Sequence, residues 1–391
     1  MKSGRSFLLW LLLAFFFLPV LPSVGAGPIH LGNNLGLDPP TGWEYVGGDD
    51  QNVTFAPSGE GGYLRLKIYE GDTWDDADTM VKDLIELLAA DEQQTDAFSY
   101  RGRNARFSDI LIFPGDGIAF HGYLIAIEGA HLDIVLMALT DPDRFSAMST
   151  VLLSGLDSFS MSDDDRLRPG PVTSYLFGEN GGEKRLSPFT FEDSNESLVY
   201  DSVDIEAAAW VIEREANLLV TYAGTPLAAE AWQRYYRIIY RDSYHRLDSL
   251  YRLLDRVISR SDNEDGLTQR EIAARLLGWV QGFSYRRSGG VSDLDGPLAV
   301  AVSGEGDCDS RGLLLAAVLN HFGIDSVLMV SDVYGHSLVG TDVTGNGARF
   351  SFDGKNYLVA ETTAKVAIGM IDASMADPAK WIGIDFFRYS R

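Results

Sequence analysis

The 391-residue chain has one cysteine, Cys308. A single thiol excludes an intramolecular disulfide, and no His/Cys/carboxylate spacing along the chain fits a zinc site. Basic residues are the second scarcity: 32 Lys and Arg stand against 56 Asp and Glu, for a net charge of −24. Phosphate backbones and anionic lipid need a basic footprint, so this balance argues against a nucleic-acid partner and against docking on anionic lipid. The acidic excess reads as what keeps an exported protein in solution. Long apolar runs are also missing after the N-terminus, and so are internal repeats and low-complexity tracts. No segment beyond the first twenty or so residues is apolar enough to span a bilayer.

What is present begins with an export signal. Lys2 and Arg5 precede a nearly continuous apolar run from Phe7 to Leu18. Val24-Gly25-Ala26 then offers small residues for cleavage after Ala26. Pro19 and Pro22 interrupt the run, which favours cleavage over an anchor helix. Residues 1–26 are therefore expected to be a signal peptide. The mature chain is expected in the periplasm or outside the cell, without membrane insertion. A lone thiol is an oxidation liability there, tolerated where it is buried and inert or where chemistry requires it.

Residues 27–162 read as an α+β unit. Period-two alternation marks a strand at Tyr63–Tyr69, and apolar residues at three- and four-residue spacing (Met80, Val81, Leu84, Leu87, Leu88) mark a helix over Trp74–Ala90. Strands are expected at Ala105–Phe113, Ile118–Glu128 and Leu132–Thr140, and a helix at Asp143–Leu153. His121 and His131 read as ordinary strand residues. Through Pro40-Thr41-Gly42-Trp43 and Asp157-Ser158-Phe159 this region resembles the PsbP/Mog1-like fold. That resemblance implies an α/β/α sandwich serving as a binding module for a protein partner. Polar, Gly- and Pro-containing sequence over 163–203 reads as a linker.

Residues 204–391 open with helical patterns. Ala231 to Ile258 reads as one helix, its Trp232, Tyr236, Ile239 and Tyr240 turned inward and its arginines snorkelling outward. Thr268-Gln-Arg-Glu271 is a capping box that starts another helix, running to Phe283. The acidic turn Asp262–Gly266 is not an EF-hand loop, because Ser261 and Ile272 stand where the first and last carboxylates would be needed.

Cys308 begins a helix that is apolar nearly all round, ended by Gly323 as a C-cap. The partial positive charge at a helix N-terminus favours a thiolate there. Gly304 and Gly306 leave room beside the thiol for a substrate backbone, or make a tight turn. Strands follow at Ile324–Val330, His336–Val343, Ala348–Phe352 and Asn356–Glu361, and Gly335 permits close approach at the start of the second. A thiol, an imidazole and a carboxyl in that order are the parts of a nucleophile, its base and its orienter. Singly, each has an ordinary reading as a buried small side chain, a structural histidine and a solvated acid. Jointly, one Cys and one of six His fall in catalytic order on suitable elements.

Gly306-Asp-Cys308-Asp-Ser-Arg-Gly, Gly323-Ile324, Gly335-His336-Ser337 and Tyr357-Leu-Val-Ala-Glu361 together resemble the transglutaminase-like superfamily of papain-fold thiol enzymes. The resemblance implies a helix-plus-antiparallel-sheet domain in which Cys308 is the nucleophile, His336 the base and acid, and Glu361 the orienter. Aspartate is commoner than glutamate at the third position. The Cys308 amide is one oxyanion donor by position, and Gln281 resembles the upstream donor of related enzymes. The expected activity is cleavage of amide bonds in a protein or peptide, such as a cell-wall peptide, with transfer to an amine as the variant outcome and no cofactor or metal implied. The alternative is a transglutaminase-like fold retained without catalysis as a binding or adaptor protein of the envelope.

Overall fold

The computed structural model describes residues 28–388, except residues 32–33, 50, 60, 71–72, 114–117, 180, 261–265, 288 and 290–291. The expected signal peptide and most of the acidic turn at 262–266 lie outside the described residues. The chain divides into two compact units, Met1–Asn180 and Gly181–Arg391. Both combine helices with antiparallel sheet, so the protein is α+β. Among the described residues no helix is long and apolar enough to cross a membrane.

The first unit starts with a short ladder of β1 (Ile29–His30) and β2 (Gly36–Leu37). Its main sheet comprises β3 (Trp43–Asp49), β4 (Asn52–Pro57), β5 (Tyr63–Glu70), β6 (Ala90–Tyr100), β7 (Arg103–Ile112), β8 (Phe120–Ile127) and β9 (Leu132–Thr140), in the order β3-β4-β5-β9-β8-β7-β6. Helix α1 (Ala77–Leu88) is capped by Asp76, whose carboxylate accepts from the Thr79 amide at 2.7 Å. Its buried Met80, Val81, Leu84 and Leu88 pack on Leu124 and Ala126 of β8. The alternate residues of β8, His121 and Tyr123, lie against Phe145 of α2 (Phe145–Asp157). Successive strand side chains point to opposite faces, so α1 and α2 cover the two faces of the sheet. His121 is tied to Asp109 at 2.8 Å and stacks on Phe145, a structural role.

The four strands before Tyr63, β1 to β4, and the long β6 have no counterpart in the sequence pattern. Strand β6 is an edge strand and reads Ala-Asp-Glu-Gln-Gln-Thr-Asp, with no apolar alternation to mark it. Charged edges of this kind discourage pairing with other chains. The expected linker over 163–203 is a second correction. Its first part carries a 3₁₀ turn at Asp164–Leu167 and α3 (Pro171–Phe177) within the first unit, where buried Asp157 accepts from the Thr173 amide and hydroxyl at 2.8 and 2.6 Å. Its second part is a hairpin, β10 (Lys184–Phe191) with β11 (Ser194–Asp201), belonging to the second unit. Pro188 and the polar alternation of a thin two-stranded ribbon hid that hairpin.

In the second unit, α4 (Ser202–Thr221), α5 (Ala228–Tyr244) and α6 (Asp248–Ser259) follow the hairpin. The helix expected over 231–258 is broken into α5 and α6 by a 3₁₀ turn at His245–Leu247. Its arginines do not all snorkel. Arg234 is 4% exposed and pairs with Glu215 at 2.9 Å, and Glu215 also holds Arg214 at 2.8 Å. Burying these cations is tolerable because each has a carboxylate partner. Helix α7 (Gln269–Gln281) starts at the expected capping box: the Thr268 amide donates to Glu271 at 2.8 Å and the Glu271 amide to the Thr268 hydroxyl at 3.3 Å.

Then come β12 (Ser284–Tyr285), α8 (Pro297–Ser303), β13 (Glu305–Gly306), which pairs parallel with β12, and α9 (Cys308–His321). Helix α9 ends at Gly323, whose φ of +72° suits glycine. Strands β14 (Ser326–Ser331), β15 (His336–Thr341), β16 (Arg349–Phe352), β17 (Lys355–Ala360) and β18 (Ile382–Asp385) form a sheet in the order β16-β17-β15-β14-β18. Leu313 to Leu319 of α9 are all buried. A Cβ on Gly312 would come within 2.8 Å of Leu328 Cδ1, so glycine there lets helix and sheet close up.

Candidate active site

Cys308 is the first residue of α9, and Asp307 is its N-cap, accepting from the Ser310 amide at 2.9 Å. The parallel β12–β13 pairing fixes the chain just before the cap. The thiol is therefore set at the mouth of a buried helix, and Cys308 is itself only 4% exposed. As the first helical residue, its backbone amide has no acceptor within the helix.

His336 opens β15 and Glu361 directly follows β17. These two strands are neighbours, with Val339 opposite Ala360, so continuing the register sets Glu361 diagonally across from His336. The imidazole Nε2 and Glu361 Oε2 are 2.8 Å apart. The other carboxylate oxygen, Oε1, accepts from the Thr363 amide at 2.7 Å and the Thr363 hydroxyl at 2.6 Å. Burial works against a charged carboxylate here, yet the bonds from His336 and Thr363 hold Glu361 below the ordinary glutamate range. The extra methylene of glutamate is accommodated because Thr363 clamps the far oxygen.

Cys308 is the neighbour that most raises the proton affinity of His336, while the thiol's own hydrogen is directed at Asp309 Oδ1, 3.6 Å away. With Nε2 taken by Glu361, Nδ1 is the nitrogen left for the thiol. Burial alone would lower the proton affinity of this imidazole. The neighbouring Cys308 and the hydrogen-bonded Glu361 outweigh it and push the histidine up to about 10. The structure thus brings Cys308, His336 and Glu361 together, with His336 hydrogen-bonded to Glu361 and neighbouring the thiol.

Gln281 is in the neighbourhood but in a different role from the one expected. Its Nε2 donates to the Glu361 carbonyl at 2.8 Å and to the Val366 carbonyl at 2.9 Å. An amide nitrogen has two hydrogens, and both are committed. Gln281 pins the backbone that carries Glu361; it does not point a donor at the thiol. The glycine readings also change. Gly304 has φ +65° and Gly335 φ +57°, and a Cβ on either would touch nothing within 4 Å, so both serve turns and not close approach. A Cβ on Gly306 would lie 3.2 Å from Ser310 Cβ, so that glycine admits the packing of α9's first turn, not a substrate.

Sequence reasoning missed Arg311, one turn below the thiol and 1% exposed. Its guanidinium donates to three backbone carbonyls: Gly306 at 2.9 Å, Phe283 at 2.9 Å and Thr362 at 3.3 Å. It joins the segments before the nucleophile, after α7 and after Glu361. An arginine inside an otherwise apolar helix pattern was the available signal. Asp309 was also missed; its Oδ1 lies 3.6 Å from the thiol sulfur. Among the described residues no group of three His, Cys, Asp or Glu side chains is arranged to hold a metal ion.

No protein-family model matches the chain, and no curated protein matches it. Solved structures do. The cyanobacterial PsbP protein CyanoP from Synechocystis sp. PCC 6803 is similar at 16% identity over 37% of this chain and 98% of that one, with a TM-score of 0.30. That likeness falls on the N-terminal part, where the PsbP/Mog1-like resemblance was read. The Pseudomonas aeruginosa protein PA94 is similar at 16% identity over 32% of this chain and 88% of that one, with a TM-score of 0.22. A protein from Bacteroides thetaiotaomicron VPI-5482 is similar at 9% identity over 85% of this chain and 89% of that one, with a TM-score of 0.27. At these scores the likenesses assign no family, and the description of the fold rests on its own sheet order and packing.

Proposed function

We propose that this chain is an exported, transglutaminase-like thiol enzyme that cleaves amide bonds through an acyl-enzyme, as a cysteine peptidase or amidase. One observation carries the reading: His336 is held by Glu361 at 2.8 Å on one ring nitrogen and lies close enough to Cys308, the first residue of a buried helix, for the thiol to raise the imidazole's proton affinity. A lone structural cysteine needs neither partner.

In this reading the Cys308 proton passes to His336 and the sulfur attacks the substrate carbonyl carbon, forming a C–S bond and placing charge on oxygen. The Cys308 backbone amide donates to that oxyanion. The C–N bond then breaks, the leaving amine takes the proton from the imidazole, and a thioester remains. Water loses a proton to His336 and attacks the thioester, and the sulfur leaves as the acid is released. Glu361 keeps the ring oriented and stabilises its charged form. The first unit would serve as a recognition module, binding a protein partner or an extended substrate. Protein or cell-wall peptide is the substrate class that fits export.

Iodoacetamide alkylation of Cys308 across pH is the first test. The expected result is fast labelling well below pH 8, slowed about 10²-fold in His336→Ala. Labelling that rises only near pH 8 to 9, as for an ordinary thiol, and ignores His336→Ala would leave a non-catalytic binding protein instead. Mass analysis of an acyl adduct trapped from cell-envelope extract, absent in Cys308→Ala, would then identify the acyl group.

A further inference from the structure

Asp309, whose Oδ1 is 3.6 Å from the thiol sulfur, lines a cavity of about 330 Å³, at the small end of the usual range for ligand pockets. Its wall includes the aromatic side chains Trp232, Tyr235 and Tyr236 of α5, the apolar Leu219 and Leu294, and the carboxylate of Asp309. Asp293 also lines it, and no Lys, Arg or His does among the described residues. Asp293 is already engaged, accepting from the Gly289 amide at 3.1 Å and facing Arg287 at 3.7 Å. Asp309 is bonded by the Tyr236 side chain and approached by the thiol at 3.6 Å. A carboxylate has about four acceptor positions, so Asp309 has capacity for another donor. Burial and the nearby Asp309 push the Tyr236 phenol far above its ordinary value, which keeps it a neutral donor.

We propose that this cavity receives a primary ammonium group carried on the acyl side of the substrate, with Asp309 as its counter-ion and the rings of Trp232 and Tyr236 as its walls. Three features point the same way. Aromatic rings attract a cation, more strongly where its water has been partly stripped away. A carboxylate–ammonium hydrogen bond is stronger than a neutral one. Two acids without a lining cation repel a carboxylate or phosphate in the same place. Because Asp309 Oδ1 is 3.6 Å from the sulfur, an ammonium on Asp309 belongs to the residue whose carbonyl is attacked. That group is either the free α-amine of an N-terminal residue or the side-chain amine of a lysine-like residue. The same chemistry recognises both.

This inference rests on the thiol-enzyme reading for its turnover arm and is independent of it for its binding arm. The turnover arm compares alanyl-4-nitroanilide with N-acetylalanyl-4-nitroanilide, and Nα-acetyl-lysyl- with Nα-acetyl-norleucyl-4-nitroanilide. The expected result is a kcat/KM preference of about tenfold or more for the charged member of one pair, which also tells the two amine sources apart. Asp309→Asn brings that ratio toward one. Val220→Lys, at a cavity-lining position that is 62% exposed and therefore permissive for folding, does the same by adding a competing cation. Equal turnover of charged and uncharged members overturns the proposal. The binding arm titrates alaninamide and Nα-acetyl-lysinamide into the Cys308→Ala protein and follows tryptophan fluorescence, with Trp232→Phe as the control. Saturable binding that Asp309→Asn abolishes supports the proposal even where no anilide is cleaved; no binding of either amine overturns it even where the thiol proves reactive.

Discussion

At the scale of single residues, the site depends on which groups hold which atoms. Glu361 is the residue whose chemistry departs from the commoner aspartate, and its two oxygens are shared between His336 and Thr363. Replacing it by glutamine keeps the shape and removes one of the two influences, Cys308 and Glu361, that raise the imidazole. In Glu361→Gln the proton on His336 should be lost well below pH 10, and the alkaline limb of Cys308 alkylation should move down with it. The rate at neutral pH should fall about 10²-fold. An unmoved alkaline limb would mean that Glu361 does not act on the ring. Gln281 separates two roles in a different way. As a backbone clasp, its loss in Gln281→Ala leaves two carbonyls without a donor and should cost about 1–3 kcal/mol, seen as a lowered melting temperature. As an oxyanion donor, its loss would cut kcat by about 10²–10³ with the melting temperature unchanged. The geometry predicts the first pattern.

At the scale of elements, three segments distant in sequence must meet before the site exists: the start of α9, the start of β15 and the turn after β17. Sheet register aligns the latter two. Arg311 secures the first to the third, since it spans the carbonyls of Gly306 and Thr362. Arg311→Met keeps an extended apolar stem and removes the guanidinium; the Phe283 and Thr362 carbonyls lose their donor and the Gly306 carbonyl keeps only the Arg286 amide. The expected loss is about 3–5 kcal/mol, measurable by denaturant unfolding, with slower Cys308 alkylation in the fraction that remains folded. A neutral effect on both would show that the guanidinium is dispensable. At this scale sequence reading did well where a pattern was local. The capping box at Thr268, the C-cap at Gly323 and the start of α9 at Cys308 all appear where periodicity and capping chemistry put them. It failed at β6, at the β10–β11 hairpin and at the break between α5 and α6, where stability comes from neighbours that composition does not reveal.

At the scale of the whole molecule, the proton balance of the site sets a pH window. The native value of His336, about 10, lies above its ordinary 6.5, so its contribution to stability is complete below pH 6.5 and is lost as pH rises through about 10. Glu361 is lowered from 4.5, so its contribution is present above pH 4.5 and is lost as pH falls through its native value. The pair supports the fold most between about pH 4.5 and 6.5. The difference in melting temperature between the parent protein and His336→Ala should therefore shrink between pH 6.5 and 10; a difference that stays constant over that range would contradict it.

The sequence by itself determined the α+β class, the acidic surface balance and the candidate Cys308, His336 and Glu361. These follow from composition, periodicity and residue order, all of which are properties of neighbours along the chain. Tertiary structure alone decided that Gln281 spends its amide on the Glu361 and Val366 carbonyls, that Arg234 is buried against Glu215, and that Arg311 bridges three backbone segments. It also set Asp309 and the aromatic side chains of α5 around one cavity. The physical reason is the same in each case. A polar group buried on folding must find its partner among whatever the fold brings near, and spacing along the chain does not reveal which group that is.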